Sequence, residues 1–242
     1  MNTPLLVTLL AHLLAAYAIL ASPWLGLFWY QKAQKRIQAG DPRARIRLYR
    51  EVITEQTMTA SLVCGLCLFG GIPGKSLGIC APRSWIVTAA LAAVVVALFL
   101  RSAIKLRAKA QKVRAKIGGH LAALLPDSLK EQRWFVVLSV GAGISEELVF
   151  RGFLFYYLSL YIPHVNNLEK VLLTSVFFGM AHRYQGWPAV AKTGLASVVL
   201  AGFYLLTGSL LLPMVVHAMN DMQVPLIFWP EATQDAVFEA GT

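Results

Sequence analysis

Apolar residues in this chain run in long blocks separated by short polar stretches. Leu5 to Tyr30 carries no Asp, Glu, Lys or Arg, and Trp85 to Leu100 is uncharged and dense in Ala, Val and Leu. A bilayer-spanning helix needs roughly 20 mostly apolar residues. The first block is long enough outright and the second is a short span. Further blocks over Val52 to Ile72, Trp134 to Tyr161, Val171 to Arg183, Ala189 to Thr207 and Ser209 to Trp229 bring the count to about seven, within a range of six to eight. The second block and the short fifth one carry the weakest signal. The pattern predicts an all-α, polytopic transmembrane helical bundle around a buried polar cavity, with residues 1–242 as a single membrane domain. Turns are expected from Pro73-Gly74 to Pro82-Arg83 and at Gly208, where Pro and Gly break helices. Pro23 predicts a kink in the first span, and Trp24, Trp29 and Tyr30 are expected near its interface. Pro126-Asp127-Ser128 reads as a helix start at the membrane surface. Residues 230–242 form a polar, weakly acidic tail. The first block continues well past Ala16-Tyr17-Ala18 with no Lys or Arg before it, so a retained span is expected in place of a cleaved signal peptide.

Composition agrees with lipid as the main solvent. Hydrophobic residues make up 57% of the chain and charged ones 14%, against about 25% charged in a typical soluble domain. The net charge of +10 is concentrated: of 22 basic residues, seven lie between Lys32 and Arg50 and seven between Arg101 and Lys116. Arg101 to Lys116 reads as a basic helix ended by Gly118-Gly119. Basic loops between apolar blocks are the mark of the cytoplasmic side. This places residues 31–50 and 101–133 inside, the N-terminus outside, and the protein as a multi-pass component of the cell membrane. The same location argues against nucleic acid as a partner and for membrane lipids, including anionic ones. Cys64 and Cys67 form a C-x-x-C inside an apolar run without nearby ligands, which reads as small buried residues in a helix. Nothing in the sequence bears on the oligomeric state.

Ionised groups at mid-membrane are costly, by about 2.5–3.5 kcal/mol each on insertion scales. The fourth block nevertheless carries three of them, Glu146, Glu147 and Arg151. Glu147 and Arg151 are four residues apart, stack on one helix face and can pair. Glu146 lies about 100° round the helix, with no cation in its own turn. A carboxylate left unpaired at that depth suits general acid or base work; a structural ion-pair cluster would leave it unexplained. In the fifth block Phe178 and His182 share a face, with Gly179 and Ala181 allowing close helix packing. In the last block His217 and Asp221 share a face, so the carboxylate can orient the imidazole or both can ligate a metal.

E-E-x-x-x-R, F-x-x-x-H and H-x-x-x-D, each on its own apolar helix and in this order, resemble the CPBP family, the CAAX prenyl endopeptidases and bacteriocin-processing proteases also called Abi proteins. The resemblance covers about residues 121–226, with weaker likeness at Arg47-Leu48-Tyr49-Arg50 and Gln56. It implies an intramembrane endopeptidase acting on a membrane-associated protein or peptide, in a water-filled cavity open to the cytosol. By that resemblance Glu146 and His182 activate water, Glu147 and Arg151 support the site, and His217 with residue 221 steadies the oxyanion. Asp221 departs from the family, where Asn is usual, and an ionised Asp cannot donate a hydrogen bond. It is then protonated, orients His217 or binds metal. Family members are described both as metalloproteases and as metal-free glutamate proteases. Zinc on Glu146, His182, His217 and Asp221 and a metal-free mechanism both stay open. The alternative is a proton-coupled transporter with Glu, His and Asp strung along a relay; a protease needs them around one cavity.

Overall fold

The computed structural model describes residues 5–110, 112, 121 and 123–227. Expectations for Gly118-Gly119, most of 111–120 and the tail from 228 lie outside the described residues. Seven helices are present, and no strand occurs among the described residues. Helix α1 is Leu5–Gln38, with a π-helical turn at Tyr17–Ala21 just before Pro23. Helix α2 is Ala44–Gly70 and α3 is Trp85–Arg107. Helix α4 comprises Leu129–Glu147, a π-helical turn Leu148–Phe153 and Leu154–Tyr161. Helices α5, α6 and α7 are Asn167–Ala181, Trp187–Thr207 and Leu211–Ile227.

Four helices, α1, α2, α3 and α6, are long and apolar enough to cross a bilayer by length and composition alone. Helix α5, with 15 residues, reaches about 22 Å at 1.5 Å per residue. That is short of the roughly 30 Å hydrocarbon core. Helix α3 faces outward on nearly every side; Thr88 is its one buried residue. This fits a helix solvated by lipid.

Several helices extend beyond their apolar blocks. Helix α2 begins at Ala44, not Val52, so Arg45, Arg47 and Arg50 are helical and Glu51 and Glu55 lie well inside it. Lys, Arg, Gln and Glu are good helix formers that lower hydropathy without ending a helix. Asp41 fixes this start by accepting the Arg43 backbone N–H at 3.0 Å and pairing with Arg47 at 3.0 Å. Ser128 caps α4, accepting the Glu131 N–H at 3.2 Å. A reciprocal capping box between Asn166 and Glu169 opens α5. Tyr30 is buried against Ala33, Leu48 and Ala123, because α1 continues to Gln38 and carries this turn inside the bundle. One expectation is corrected. Cys64 is exposed on the outer side of α2, not buried; all three cysteines are free.

Helix α4 lies at the centre, packed between α2 and α7, while α5 packs closely on α6. Helices α4 and α7 approach closely at a glycine. A Cβ on Gly143 would meet the Met214 carbonyl at 2.7 Å and the Ala218 Cβ at 2.8 Å. The described cations of both basic segments lie at one end of the bundle, around the α1–α2 connection and from the last turns of α3 onward.

Candidate active site

Helix α4 places Glu146 and Glu147 on adjacent radii immediately before its π-helical stretch. Glu147 and Arg151 are fully buried, and Arg151 Nη1 donates to Glu147 Oε1 at 2.7 Å. Arg151 Nη2 donates to the Ser197 carbonyl at 3.0 Å and hydroxyl at 2.6 Å, tying α4 to α6. The guanidinium lies 4.6 Å over the Phe178 ring, a cation–π contact that is strong when desolvated. Burial of this pair is thus offset by three directed hydrogen bonds and an aromatic face, although Arg151 Nε and Glu147 Oε2 are buried without a hydrogen-bond partner among the described residues.

His217 comes from α7 and is buried. Its Nδ1 lies 2.9 Å from Glu147 Oε1. A carboxylate there takes the Nδ1–H, which leaves Nε2 facing the other way. His182 sits at the C-cap of α5, and its Nδ1–H donates to the Phe178 carbonyl at 2.8 Å. Both rings therefore present Nε2 inward. Glu146 Oε2 lies 3.9 Å from each of these nitrogens. Asp221 Oδ2 lies 3.7 Å from His217 Nε2. The structure brings all six sequence-derived residues together, from four-residue spacings on three helices. The hydrogen-bond partner of His217 is Glu147, not Asp221, whose carboxylate is beyond hydrogen-bond reach and on the Nε2 side.

Glu146 and His182 line a cavity of about 180 Å³ between α1, α2, α4 and the α5–α6 connection. Its lining reaches Leu48, Glu51, Leu124 and Tyr184, so it extends toward the end that carries the basic segments. Gln56 and Tyr49, from the weaker upstream likeness, also line it, and Tyr49 donates to the Leu124 carbonyl at 2.8 Å. Three lining residues were not singled out from the sequence. Tyr17, in the π turn of α1, donates to Glu55 Oε1 at 2.6 Å. Tyr184 stacks near His182, with ring centroids 6.1 Å apart. Glu55 had a signal, an acid inside an apolar helix; Tyr17 and Tyr184 had none.

A zinc ion held by imidazole and carboxylate at about 2.0–2.2 Å sets neighbouring donors about 3.3 Å apart in a tetrahedral site. Here the recorded spacings are 3.7 Å and 3.9 Å. Among the described residues, no three His, Cys, Asp or Glu side chains converge to hold an ion. The donor set as placed does not form a zinc site.

Residues 130–223 match the family model described as type II CAAX prenyl endopeptidase Rce1-like. The matched segment holds every candidate residue from Glu146 to Asp221, agrees with the CPBP resemblance and likens this part of the chain to a family of peptidases. No curated protein and no solved structure matches the chain.

Proposed function

We propose that this Rce1-like domain hydrolyses a peptide bond of a membrane-associated protein or peptide by a glutamate–histidine water mechanism. The observation that carries the reading is the position of Glu146 Oε2, 3.9 Å from Nε2 of both His182 and His217. That separation admits one water bent between the carboxylate and an imidazole, at the roughly 2.6–3.2 Å that general-base work needs. Glu146 takes a proton from this water as its oxygen bonds to the scissile carbonyl carbon. His182 Nε2 accepts a hydrogen bond from the O–H that stays on the attacking oxygen, and so aims it. The carbonyl oxygen becomes an oxyanion and receives a hydrogen bond from protonated His217 Nε2. Collapse of the tetrahedral intermediate breaks the C–N bond, and Glu146 returns its proton to the leaving amine. Glu147 holds His217 in orientation, Arg151 holds Glu147, and Asp221 is the charge neighbour of the His217 Nε2 side.

The cavity opens to the cytoplasm in this reading, because it extends toward the basic end of the bundle. The cluster also favours hydrolysis over proton relay: the titratable groups surround one point and are not strung along a path. The test is substrate trapping. Peptides that co-purify with the Glu146→Gln variant are identified and offered to the unaltered protein. Cleavage of at least one at a defined bond is expected. If none is cut, or if the variant cuts them equally well, the hydrolytic reading fails.

A further inference from the structure

The end of the bundle away from the basic segments carries little charge. Among the described residues, its helix ends and connections hold three cations, Lys75, Arg83 and Lys170, and one carboxylate, Glu169. All three cations line one cleft of about 450 Å³, and Glu169 does not. Glu169 is occupied: it accepts the Asn166 N–H at 2.7 Å in the α5 cap. No described carboxylate pairs with any of the three cations.

The cations reach this cleft from three separate places in the chain. Lys75 stands on the 3-10 turn after α2. Arg83 is held by its N–H to the Thr207 carbonyl at 2.8 Å and by Nη1 to the Leu205 carbonyl at 3.1 Å. Lys170 in the first turn of α5 donates to Ser159 Oγ at 2.7 Å. Each keeps donors to spare, since Lys has three and Arg five. Asn167, the first residue of α5, also lines the cleft, and a helix N-terminus adds positive potential. Phe155, Tyr156, Tyr204 and Leu205 give it an apolar wall.

Cations are disfavoured on this side of a membrane protein, yet the three present converge. We propose that this cleft binds a phosphate-bearing anion, supplied by the headgroup of an anionic phospholipid. The place of the cleft at the helix ends and its aromatic wall favour a lipid over a soluble anion, because a headgroup at that depth brings its glycerol and acyl carbons against Phe155 and Tyr204. A bound headgroup then bridges the α2–α3 connection, α5 and the end of α6.

The test is the melting temperature of the full chain in neutral detergent, with phosphatidylglycerol, phosphatidylcholine or inorganic phosphate added. A ligand that binds only the folded state raises it. Phosphatidylglycerol is expected to raise it by several degrees, phosphatidylcholine and phosphate by far less, and added salt to weaken the rise. The K75Q/K170Q variant should lose the rise, while K32Q/K35Q, at the other end, should keep it. Should the double variant fold poorly, the K75Q and K170Q single variants should each lower the response. An undiminished rise in these variants, or an equal rise with phosphatidylcholine, overturns the site. A rise with phosphate alone that is lost in K75Q/K170Q overturns the lipid as its source.

Discussion

Glu147 and His217 meet at 2.9 Å across the α4–α7 contact, Oε1 to Nδ1. The same oxygen takes Arg151 Nη1 at 2.7 Å. One carboxylate oxygen thus joins the cation of its own helix to the imidazole of another, and selects the ring nitrogen that faces Glu146. The two adjacent glutamates have different surroundings for this reason: Glu147 is enclosed, while Glu146 reaches the cavity.

Replacing each glutamate separates those tasks. Glu146→Gln removes a proton carrier, and positioned proton transfer is worth roughly 10²–10⁴ in rate. Activity is expected to fall by at least that much with the melting curve unchanged. Glu147→Gln leaves Arg151 without its anion, at a cost of about 3–5 kcal/mol for a fully buried pair. That variant should lose melting temperature as well as activity. A destabilised Glu146→Gln, or a stable but inactive Glu147→Gln, would reverse the assignment.

Asp221 is testable by two substitutions. Asn places a side-chain donor where the carboxylate now flanks His217 Nε2, and should keep cleavage within about tenfold. Leu removes the charge beside His217 Nε2 and supplies no donor in its place, which weakens the protonated imidazole that receives the oxyanion. Loss of one oxyanion-stabilising donor costs about 10²–10³ in kcat, so Asp221→Leu should approach that range. Equal losses in both variants would show that the negative charge itself is required.

Gly143 sets the spacing of the α4 and α7 backbones. Alanine there would place its Cβ 2.7 Å from the Met214 carbonyl and 2.8 Å from the Ala218 Cβ. Neither neighbour is the end of a flexible side chain, so α7 must shift. Overpacking of this kind costs about 1–3 kcal/mol. Gly143→Ala is expected to lower both the melting temperature and kcat, since His217 moves with α7. Gly65→Ala, on an open helix face, is the control and should do neither.

Metal removal distinguishes the two chemistries. Under the glutamate–histidine mechanism, protein dialysed exhaustively against a strong chelator keeps its cleavage rate. Loss of activity restored by zinc alone would instead assign the donors around Glu146 to a metal.

Orientation is open to labelling in intact cells. Single cysteines at residues 40 and 109 should resist a membrane-impermeant thiol reagent from outside, and one at residue 164 should react. The opposite pattern would invert the protein in the membrane.

The site was more legible in the sequence than the contacts that build it. Four-residue spacings placed Glu147 with Arg151, Phe178 with His182, and His217 with Asp221, because helix periodicity acts within one element. The bond from Glu147 to His217 joins residues 70 apart and depends on how α4 meets α7. Periodicity carries no information on that, so orientation of His217 stayed one of several roles open to Asp221, and nothing pointed to Glu147 for it. Hydropathy likewise located apolar cores but not helix limits: charged, strongly helix-forming residues extend α1 to Gln38 and start α2 at Ala44. Tyr17 and Tyr184 could not be singled out, since an aromatic residue in an apolar protein reads as packing wherever it falls.

The π-helical turn at Leu148–Phe153 has a consequence for which length changes the chain can absorb. A π turn holds one residue more than an α turn, and each residue advances an α-helix by about 100°. The extra residue is taken up within the turn, so deleting one residue there would restore a regular helix with Leu154–Tyr161 in nearly the same phase against Glu146 and Glu147. A deletion elsewhere in α4 has no such slack and would turn one end of the helix against the other by about 100°; Phe153 and Leu154, almost wholly enclosed, could not follow that rotation and stay in the core. A deletion between residues 39 and 43, where the backbone already turns between α1 and α2, displaces no such phase. Natural or engineered variation in length should therefore collect in the connections and, in the one helix that carries both glutamates, be confined to the π turn.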